Sequence, residues 1–324
     1  MVKQKKIRAG VIGVGHLGEF HLQKYAALPE VELVGVVDID RDRAEDIARR
    51  YDTRSFENHQ DLLERVDGVS LAVPTEAHFA LSMAILDKGV HLLVEKPITH
   101  RLEDADRMIA LARERNLVLQ VGHVERFNPA VVKMNALLDR PIFIESHRLS
   151  PFTARGLDVD VVLDLMIHDL DIIFHAVQSP VRELHAVGMT VITQKTDIAN
   201  VRIIFENGTV ANLTASRVSN ASIRKIRIFQ QDAYLSADCL KREVSITRLD
   251  SPSEEEGSFP QIASEKLRYP DSDPLADQIR AFVHALMSRS EPIVSGDDGR
   301  KALNAALAIN EQIERGCRNF QAIR

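Results

Sequence analysis

Residues 7–18 read IRAGVIGVGHLG, a short apolar run that leads into three glycines with the spacing Gly13-x-Gly15-x-x-Gly18. The run predicts a buried strand, and the residues that follow predict a helix. In this setting Gly13 permits a tight turn, Gly15 lets the backbone approach a pyrophosphate, and Gly18 allows the helix to pack closely on the strand. The residues of this loop that we expect to contact a dinucleotide are Gly13, Gly15, His16, Leu17 and Gly18.

A carboxylate in the right place supports the dinucleotide interpretation. Asp38 ends the second predicted strand, 20 residues after Gly18. There it can accept hydrogen bonds from the ribose hydroxyls and repel a 2′-phosphate, which favours NAD over NADP. Arg41 and Arg43 follow closely and leave NADP open as an alternative, although both also fit a solvated first turn of a helix.

The first third of the chain alternates between apolar runs and helical patterns. Strands buried on both faces of a parallel sheet read as such nearly continuous apolar runs. The alternation predicts a doubly wound α/β domain, the Rossmann type, over residues 1–122. The predicted strands lie in 7–15, 31–40, 68–74, 91–97 and 117–123, and the predicted helices in 42–51, 77–89 and 102–116.

The pattern changes after residue 123. Residues 201–205 and 209–216 predict two antiparallel strands, because Glu206-Asn207-Gly208 between them is typical of a hairpin turn. A short helical pattern covers 129–138, and longer helical patterns cover 159–177, 274–289 and 298–315. Residues 123–324 therefore predict a second, α+β domain for substrate binding and oligomerisation, whose last helix is a candidate to pack back on the first domain.

Composition excludes several classes of protein. A length of 324 residues predicts about two domains. The net charge of −6 argues against a protein that wraps nucleic acid. Two cysteines, Cys239 and Cys317, cannot build a disulfide framework or a cysteine metal site. No apolar stretch reaches the ~18 residues of a membrane span, and the N-terminal apolar run is too short for a signal peptide, so we expect a cytoplasmic protein.

Polar residues follow two of the predicted strands. Val73-Pro74-Thr75-Glu76-Ala77-His78 follows one strand, and Glu95-Lys96-Pro97 follows the next. Ligands bind beyond the carboxyl ends of strands in open α/β sheets, so Lys96 is placed where a nicotinamide would reach. A common surface turn explains the same residues equally well. The predicted cofactor contacts here are Pro74, Thr75, His78, Glu95 and Lys96.

The helical pattern at 159–177 carries two acids and two histidines. Asp164 and His168 are four residues apart, and Asp171 and His175 continue the same face of an ideal helix. An imidazole beside a carboxylate can serve as a general base. Such spacing can also bind a metal, but no other motif converges with it, and we predict none. For Asp171 and His175 a structural role is the simpler interpretation.

Taken in order, GVGHLG, AVPTEAH, VEKP, GHVERFNP and DLMIHDLD resemble the Gfo/Idh/MocA oxidoreductases over essentially the whole chain. The resemblance implies a Rossmann domain, a second domain with a large and mostly antiparallel sheet, and a homodimer or homotetramer. It implies hydride transfer between NAD(P) and a carbohydrate or similar alcohol. It also implies that Lys96 contacts the reacting hydroxyl and that His168, with Asp164, shuttles the proton.

The chain departs from the family where Asp158-Val159-Asp160-Val161-Val162-Leu163 replaces glycines. With GHVERFNPAV and SPFTARGLDVDVVLDLMIHDLDII the chain is similar to a subgroup that includes UDP-N-acetylglucosamine 3-dehydrogenases, which implies a nucleotide-sugar substrate. Arginine suits a diphosphate through paired hydrogen bonds. The predicted substrate contacts are therefore Arg126, Asn128, Arg148 and Arg155, together with Asp164 and His168; for each arginine a structural ion pair is the alternative.

Two other functions stay open from the sequence. One is a dehydrogenase of a free sugar or polyol, of the inositol type, whose pocket would need hydroxyl partners instead of a diphosphate site. The other is a regulator that senses NAD without catalysis. Intact Lys96, Asp164 and His168 argue against the regulator, because a sensor has no need of a poised base.

Overall fold

A computed structural model describes residues 6–153, 159–249 and 262–322, with side chains as far as residue 317. Arg155 and the polar segment 250–261 lie outside the described residues. No helix among the residues described is long and apolar enough to cross a membrane.

The chain divides into two compact units. One comprises residues 1–124 and 273–303, and the other comprises 125–272 and 304–324. Each has its own buried apolar core.

The first unit is built on a six-stranded sheet in which every paired strand runs parallel to its neighbour. Its strands are β1 Ile7–Ile12, β2 Val31–Val37, β3 Arg54–Ser55, β4 Gly68–Leu71, β5 His91–Glu95 and β6 Leu119–Gly122. Their order, β3-β2-β1-β4-β5-β6, changes direction at β1. This confirms the Rossmann prediction and places a ligand crevice beyond the carboxyl ends of β1 and β4. Only β3, two exposed residues long, was too short and polar to predict.

Helices flank this sheet, and all except the short one at His59–Leu63 follow predicted helical patterns. They are α1 His16–Ala26, α2 Arg41–Arg50, α3 His59–Leu63, α4 Thr75–Asp87 and α5 Leu102–Glu114. In α5 the predicted face is buried at Ala105, Met108, Ile109 and Ala112. Asp40 caps the N-terminus of α2 by accepting a hydrogen bond from the Arg43 N–H, and Asn58 caps α3 by accepting one from the Asp61 N–H.

The second unit is built on an eight-stranded sheet that is antiparallel except where β7 pairs with β10. Its strands are β7 Phe143–Leu149, β8 Val181–Met189, β9 Ile198–Phe205, β10 Val210–Ser216, β11 Ile223–Phe229, β12 Ala233–Asp238, β13 Glu243–Leu249 and β14 Ile262–Arg268. The order is β14-β13-β12-β11-β7-β10-β9-β8. The predicted hairpin is confirmed, with Gly208 at φ +90° between β9 and β10.

Helices α6 Pro129–Asn135 and α7 Ile167–Val177 belong to the second unit. Buried side chains of both helices pack in one core with the inward residues of the sheet. Residues 162–166, directly before α7, form a π-helical turn that the sequence pattern did not predict.

The end of the chain differs from the predicted domain assignment. Helices α8 Pro274–Ser288 and α9 Gly296–Ala322 follow the large sheet, yet residues 273–303 belong to the first unit. The reason is burial, because Ile279, Phe282 and Val283 of α8 are part of the first unit's core. The rest of α9 packs in the second unit through Ala306 and Ile309.

Candidate functional site

The glycine-rich loop between β1 and α1 has the geometry of a phosphate cradle. Gly13 has φ +83°, and a Cβ there would lie 2.5 Å from the carbonyl oxygen of Ala72. A Cβ on Gly18 would lie 1.8 Å from the carbonyl oxygen of Gly13, so the helix can approach this closely only with glycine. At Gly15, by contrast, a Cβ would meet nothing within 4 Å. The two outer glycines are required by the fold, whereas Gly15 borders open space.

The start of α1 leaves its N–H groups available in that space. Its first residue is His16, and Gly15 before it has no side chain to cap the helix. The side chain of Leu17 is 46% exposed. Uncapped N–H groups and the helix dipole favour an anion at this end. The loop therefore fits the pyrophosphate of a dinucleotide.

Asp38 reinforces the loop from the end of β2. Its Oδ2 accepts a hydrogen bond from the Val14 N–H at 2.8 Å, and its Oδ1 accepts one from the Asp40 N–H at 2.9 Å. The adjacent Ile39 has a fully exposed side chain, an apolar surface that sequence reasoning missed. Arg43 reaches Asp40 at 2.9 Å and Arg41 reaches Glu57 at 3.4 Å, so both belong to surface ion pairs at the start of α2.

Beyond the ends of β4 and β5, a buried histidine joins two loops. Pro74 precedes the first residue of α4, Thr75. One turn later, His78 is 1% exposed, with Nδ1 2.9 Å from the carbonyl oxygen of Pro97 and Nε2 3.0 Å from that of Val73. Burial lowers the pKa of His78, and hydrogen bonding to these carbonyls opposes this effect only in part. His78 thus ties the loop after β4 to the loop after β5.

Lys96 lies directly after β5, and the peptide bond between Lys96 and Pro97 is cis, a point that the sequence left open. The Lys96 N–H is 3.4 Å from Oε2 of Glu95, whose side chain is 12% exposed. Lys96 and Glu95 therefore stand at the carboxyl edge of the sheet, as the sequence predicted, on the strand next to the crevice.

In the second unit, Asp164 and His168 lie at the start of the α7 region, both partly buried. Asp160 fixes this start, because its Oδ1 accepts from the N–H groups of Val162 at 2.9 Å and Leu163 at 3.0 Å. Asp164 falls inside the π-helical turn and His168 in α7 proper. A π turn has more residues per turn than an α-helix, so the predicted i, i+4 alignment of these two side chains does not carry over unchanged.

The other two residues of that predicted face have separate environments. Asp171 is 3% exposed, and its Oδ1 lies 3.3 Å from Nη1 of Arg126, which is also buried. His175 is exposed. Asp171 therefore has the structural role that the sequence favoured for it, and it engages an arginine that we predicted to contact substrate.

Arg148 likewise forms ion pairs inside the protein. Its Nε and Nη2 each donate to Asp169 at 2.9 Å, and its Nη1 donates to Oε1 of Glu125 at 3.0 Å. Burial would lower the pKa of Arg148, but the two carboxylates outweigh burial and raise it. Burial alone would likewise raise the pKa of Glu125, yet the charge and hydrogen bond of Arg148 lower it.

Asn128 completes this cluster. Its Nδ2 donates to Glu125 at 3.1 Å and to the Cys239 carbonyl at 3.0 Å, and its Oδ1 accepts from the Ala130 N–H. Because these side chains are buried and engaged by protein partners, we propose a structural role for Arg148, Asn128 and Arg126 as the alternative to their contact with substrate, which stays a prediction. The prediction for Arg155 falls outside the described residues.

Comparison with known proteins agrees with this geometry. Residues 7–123 match the oxidoreductase family with an NAD-binding Rossmann fold, and residues 131–236 match the GFO/IDH/MocA C-terminal domain. The chain is 40% identical to the UDP-N-acetylglucosamine 3-dehydrogenase of Acidithiobacillus ferrooxidans, over 95% of this chain and 97% of that one.

The chain belongs to the Gfo/Idh/MocA oxidoreductase family. It is an oxidoreductase with an NAD-binding Rossmann domain. A crystal structure of the Acidithiobacillus enzyme superposes with a TM-score of 0.90 over 96% of this chain and 98% of that one.

More distant members share the architecture. The myo-inositol 2-dehydrogenase of Thermotoga maritima is 24% identical over 95% of this chain and 96% of its own. A levoglucosan dehydrogenase, solved with NADH and levoglucosan, has a TM-score of 0.85 at 17% identity, over 96% of this chain and 98% of that one, and shows the fold alone.

Proposed function

We propose that this chain oxidises a ring hydroxyl of a nucleotide sugar with NAD, and that the hydroxyl is the C3 hydroxyl of a UDP-N-acetylglucosamine type of substrate. The observation that carries the proposal is 40% identity, over nearly the full length of both chains, to an enzyme named for that reaction. The high structural similarity over the same span supports it.

The first unit would hold the dinucleotide. The pyrophosphate would lie on the N–H groups at the start of α1, beside Gly15, where the structure leaves room. Asp38 would accept from the ribose hydroxyls, and the exposed Ile39 would cover one face of the adenine. Bound NAD supplies the hydride acceptor.

Three side chains would handle the proton and the developing charge. His168 would take the proton of the hydroxyl, and Asp164 would orient its imidazole. Lys96, as an ammonium group, would stabilise the oxygen as it gains negative charge. This assignment is supported by the position of Lys96 at the carboxyl edge of the Rossmann sheet and by the partial burial of Asp164 and His168.

The test is NADH formation by the purified protein with UDP-N-acetylglucosamine, run beside free N-acetylglucosamine and myo-inositol, with a carbonyl trap. Turnover only with the nucleotide sugar is expected. His168→Asn should lower kcat by about 10²–10⁴-fold, the usual contribution of base catalysis, with NAD affinity unchanged. His175→Asn is the matched control, because His175 lies exposed on the same helix, and it should retain activity. Turnover of the nucleotide sugar at the wild-type rate by His168→Asn would contradict the assignment.

A free polyol is the second candidate substrate. It is supported by the full-length similarity to the myo-inositol 2-dehydrogenase. The burial of Arg126 and Arg148 also supports this candidate, because two arginines that we predict for a diphosphate already have carboxylate partners inside the protein. Turnover of myo-inositol, without turnover of the nucleotide sugar, would favour this candidate.

We further propose that a second copy of the chain covers the outer face of the large sheet. Phe143, Phe229 and Tyr234 alternate with core residues and form an aromatic row on that face, with ring centroids 5.6 Å and 4.9 Å apart. The side chain of Phe229 is 37% exposed. An apolar patch of this kind favours self-association. Sedimentation analysis should find a homodimer or homotetramer that Phe229→Glu weakens, whereas a wild-type monomer would contradict the proposal.

A cytoplasmic location also remains a proposal. Cys239 is buried and Cys317 exposed, and both are free thiols, as a reducing compartment would keep them. Cell fractionation with an antibody to the protein tests it, and recovery in the membrane or secreted fraction would contradict it.

A further inference from the structure

One acid holds the backbone that leads into α7. Asp160 lies just before the helical stretch, and its Oδ1 accepts hydrogen bonds from the N–H groups of Val162 at 2.9 Å and Leu163 at 3.0 Å, as in a helix N-cap. Its carbonyl oxygen accepts a third hydrogen bond, from the N–H of Asp164 at 3.0 Å. Asp160 therefore engages three successive N–H groups, and the last of them belongs to a residue that we propose for catalysis.

The hydrogen bonds of Asp160 begin an unusual turn. Residues 162–166 are π-helical, and the turn is closed by a bond from the Ile167 N–H to the carbonyl oxygen five residues earlier. Single π-helical turns are rare and occur frequently at functional sites. Asp164 lies within the turn, and His168 follows the residue that closes it. The positions of both side chains thus depend on a turn whose first two N–H groups are held by Asp160.

A second helix holds the side chain of Asp160. Nδ2 of Asn310, in α9, donates a hydrogen bond to Oδ2 of Asp160 at 3.0 Å. The two carboxylate oxygens therefore have separate partners, since Oδ1 binds the backbone of the turn and Oδ2 binds α9. Ile309, next to Asn310, is buried in the same apolar core as Val162, so the packing of that core keeps α9 beside the turn.

The backbone on both sides of Asp160 is bonded to residues at the ends of sheet strands. The Val161 N–H donates to the carbonyl oxygen of Thr196 at 3.0 Å, and Nη2 of Arg217 donates to the carbonyl oxygen of Val159 at 2.6 Å. Thr196 lies just before β9, and Arg217 directly follows β10. Because residues 159 and 161 are fixed in this way, the bond from Asn310 orients the one side chain between them.

We propose that Asp160, anchored by Asn310, is a positioning residue that sets the π-helical turn in the conformation from which Asp164 and His168 act. The proposal rests on the function proposed above for these two side chains. It also accounts for the stretch 158–163, where the sequence departs from the glycines of the family, because here a carboxylate and its amide partner hold the segment.

Exchanging the two hydrogen-bonding groups tests the proposal directly. Asn310→Asp places a second carboxylate, in place of a donor, against Asp160. It should lower kcat on the order of tenfold with the KM for NAD unchanged, since misplacing a reacting group by about 1 Å can cost about 10²-fold. Adding Asp160→Asn restores a donor and an acceptor in reversed order, and the double variant should return to within about threefold of the wild-type kcat. General destabilisation by the first substitution would not be reversed by the second.

The turn itself can be measured without substrate or cofactor. Hydrogen exchange in a peptide that covers residues 159–168, followed by mass spectrometry, reports the N–H groups that Asp160 holds. Asn310→Leu removes the anchor at similar volume and should accelerate this exchange. Gln312→Leu is the matched control, because Gln312 lies two residues later in α9 and bonds two backbone groups of β8 at 2.9 Å and 2.7 Å. It should leave exchange in the peptide and kcat at wild-type values.

The outcomes distinguish this inference from the proposed function. Unchanged exchange in Asn310→Leu overturns the inference even if the enzyme oxidises its sugar, and so does faster exchange with a wild-type kcat. Faster exchange, a lower kcat and recovery in the double variant support it. If Asn310→Asp does not fold, as judged by its melting curve, the Asn310→Leu and Gln312→Leu pair decides alone.

A different reading of the site is used if no tested sugar is oxidised, in which case the substrate assignment fails. The rate at which diethyl pyrocarbonate modifies His168, measured against the exposed His175 in the same digest, then replaces kcat. A relative rate that Asn310→Asp changes and the double variant restores supports the inference. An equal relative rate in wild type, Asn310→Asp and the double variant overturns it.

Discussion

Replacing Arg148 by methionine distinguishes a structural arginine from a substrate-binding one. Methionine fills a similar volume without charge, so Arg148→Met leaves Glu125 and Asp169 in place but removes three charged hydrogen bonds at 2.9–3.0 Å. The side chains of all three residues are less than a tenth exposed. The variant therefore isolates the effect of leaving two buried carboxylates without their cation.

The magnitude follows from this burial. Breaking a buried ion pair from one side typically costs about 3–5 kcal/mol, because the remaining charge stays uncompensated. For a unit of this size, that corresponds to a fall in Tm on the order of 10 °C. The chain has no tryptophan, so far-UV circular dichroism is the suitable probe of unfolding. The KM of the sugar should stay within about twofold of wild type wherever the protein is folded.

The loss of stability in Arg148→Met should depend on pH. In the wild type the pKa of Glu125 is lowered, so its contribution to stability is present above the pKa of the unfolded chain and is lost as the pH falls through the lower folded value. In the variant, Arg148 no longer offsets the effect of burial on the pKa of Glu125, so protonation of the buried carboxylates stabilises the folded protein. The stability deficit of Arg148→Met should therefore be larger at pH 8 than at pH 5.

Arg224→Ala is the matched control, because Arg224 contacts the same Oε1 of Glu125 at 3.4 Å but is 46% exposed. An exposed pair contributes about 0–1 kcal/mol, so this variant should melt within a few degrees of wild type. The structural assignment would be refuted if Arg148→Met melted as wild type did while the KM for the sugar rose tenfold or more.

Three further perturbations test other parts of the chain. Asp197→Asn weakens a carboxylate that accepts three backbone N–H bonds and the Thr193 hydroxyl; burial would raise the pKa of Asp197, but these bonds lower it to about 2. The variant should lose about 1–2 kcal/mol at pH 7 after allowance for solvent screening, and urea titrations between pH 4 and 2 should show a smaller loss of stability than in the wild type. Gly18→Ala should abolish NAD binding in a fluorescence titration, because its Cβ would overlap the carbonyl oxygen of Gly13; binding at the wild-type affinity would contradict the account of the loop. Asp38→Ala should raise the KM for NAD about tenfold and reduce the preference for NAD over NADP. Equal steady-state constants for wild type and variant would argue against a role of Asp38 in binding the ribose.

The first unit was predictable because its signals are local. The Gly13-x-Gly15-x-x-Gly18 spacing, the apolar strands and the acid at position 38 each follow from contacts within a few residues or within one βαβ unit. The structure confirms the Rossmann sheet. The helix after residue 273 belongs to the first unit and not to the second domain that we predicted for it, since nothing in its own periodicity indicates which of two cores will receive Phe282.

Site residues of the second unit were harder to predict, because their roles depend on partners distant in sequence. In β7 the buried positions are Ile144, Ser146 and Arg148, a strict alternation that places the arginine on the core face. That alternation is visible in the sequence, and it argues against a position in which Arg148 faces substrate. The identity of its partners was not, since Glu125 and Asp169 are 23 and 21 residues away and reach it only once the sheet and α7 have formed.

A buried arginine is tolerable only where carboxylates meet it, so the acids around residues 125 and 169–171 were the missing half of the signal. GHVERFNP supplies Glu125, Arg126 and Asn128 to these buried polar contacts, whereas DLMIHDLD combines Asp169 and Asp171 with two residues that are proposed for chemistry. Glu125 and Asp169 engage Arg148, and Asp171 engages Arg126, whereas His168 lies between these acids in sequence with a different proposed task. The ion pairs fix the backbone directly after that histidine. A motif that looks uniformly catalytic in sequence is thus divided into acids that form buried ion pairs, Asp169 and Asp171, and two residues that are proposed to act in catalysis, Asp164 and His168.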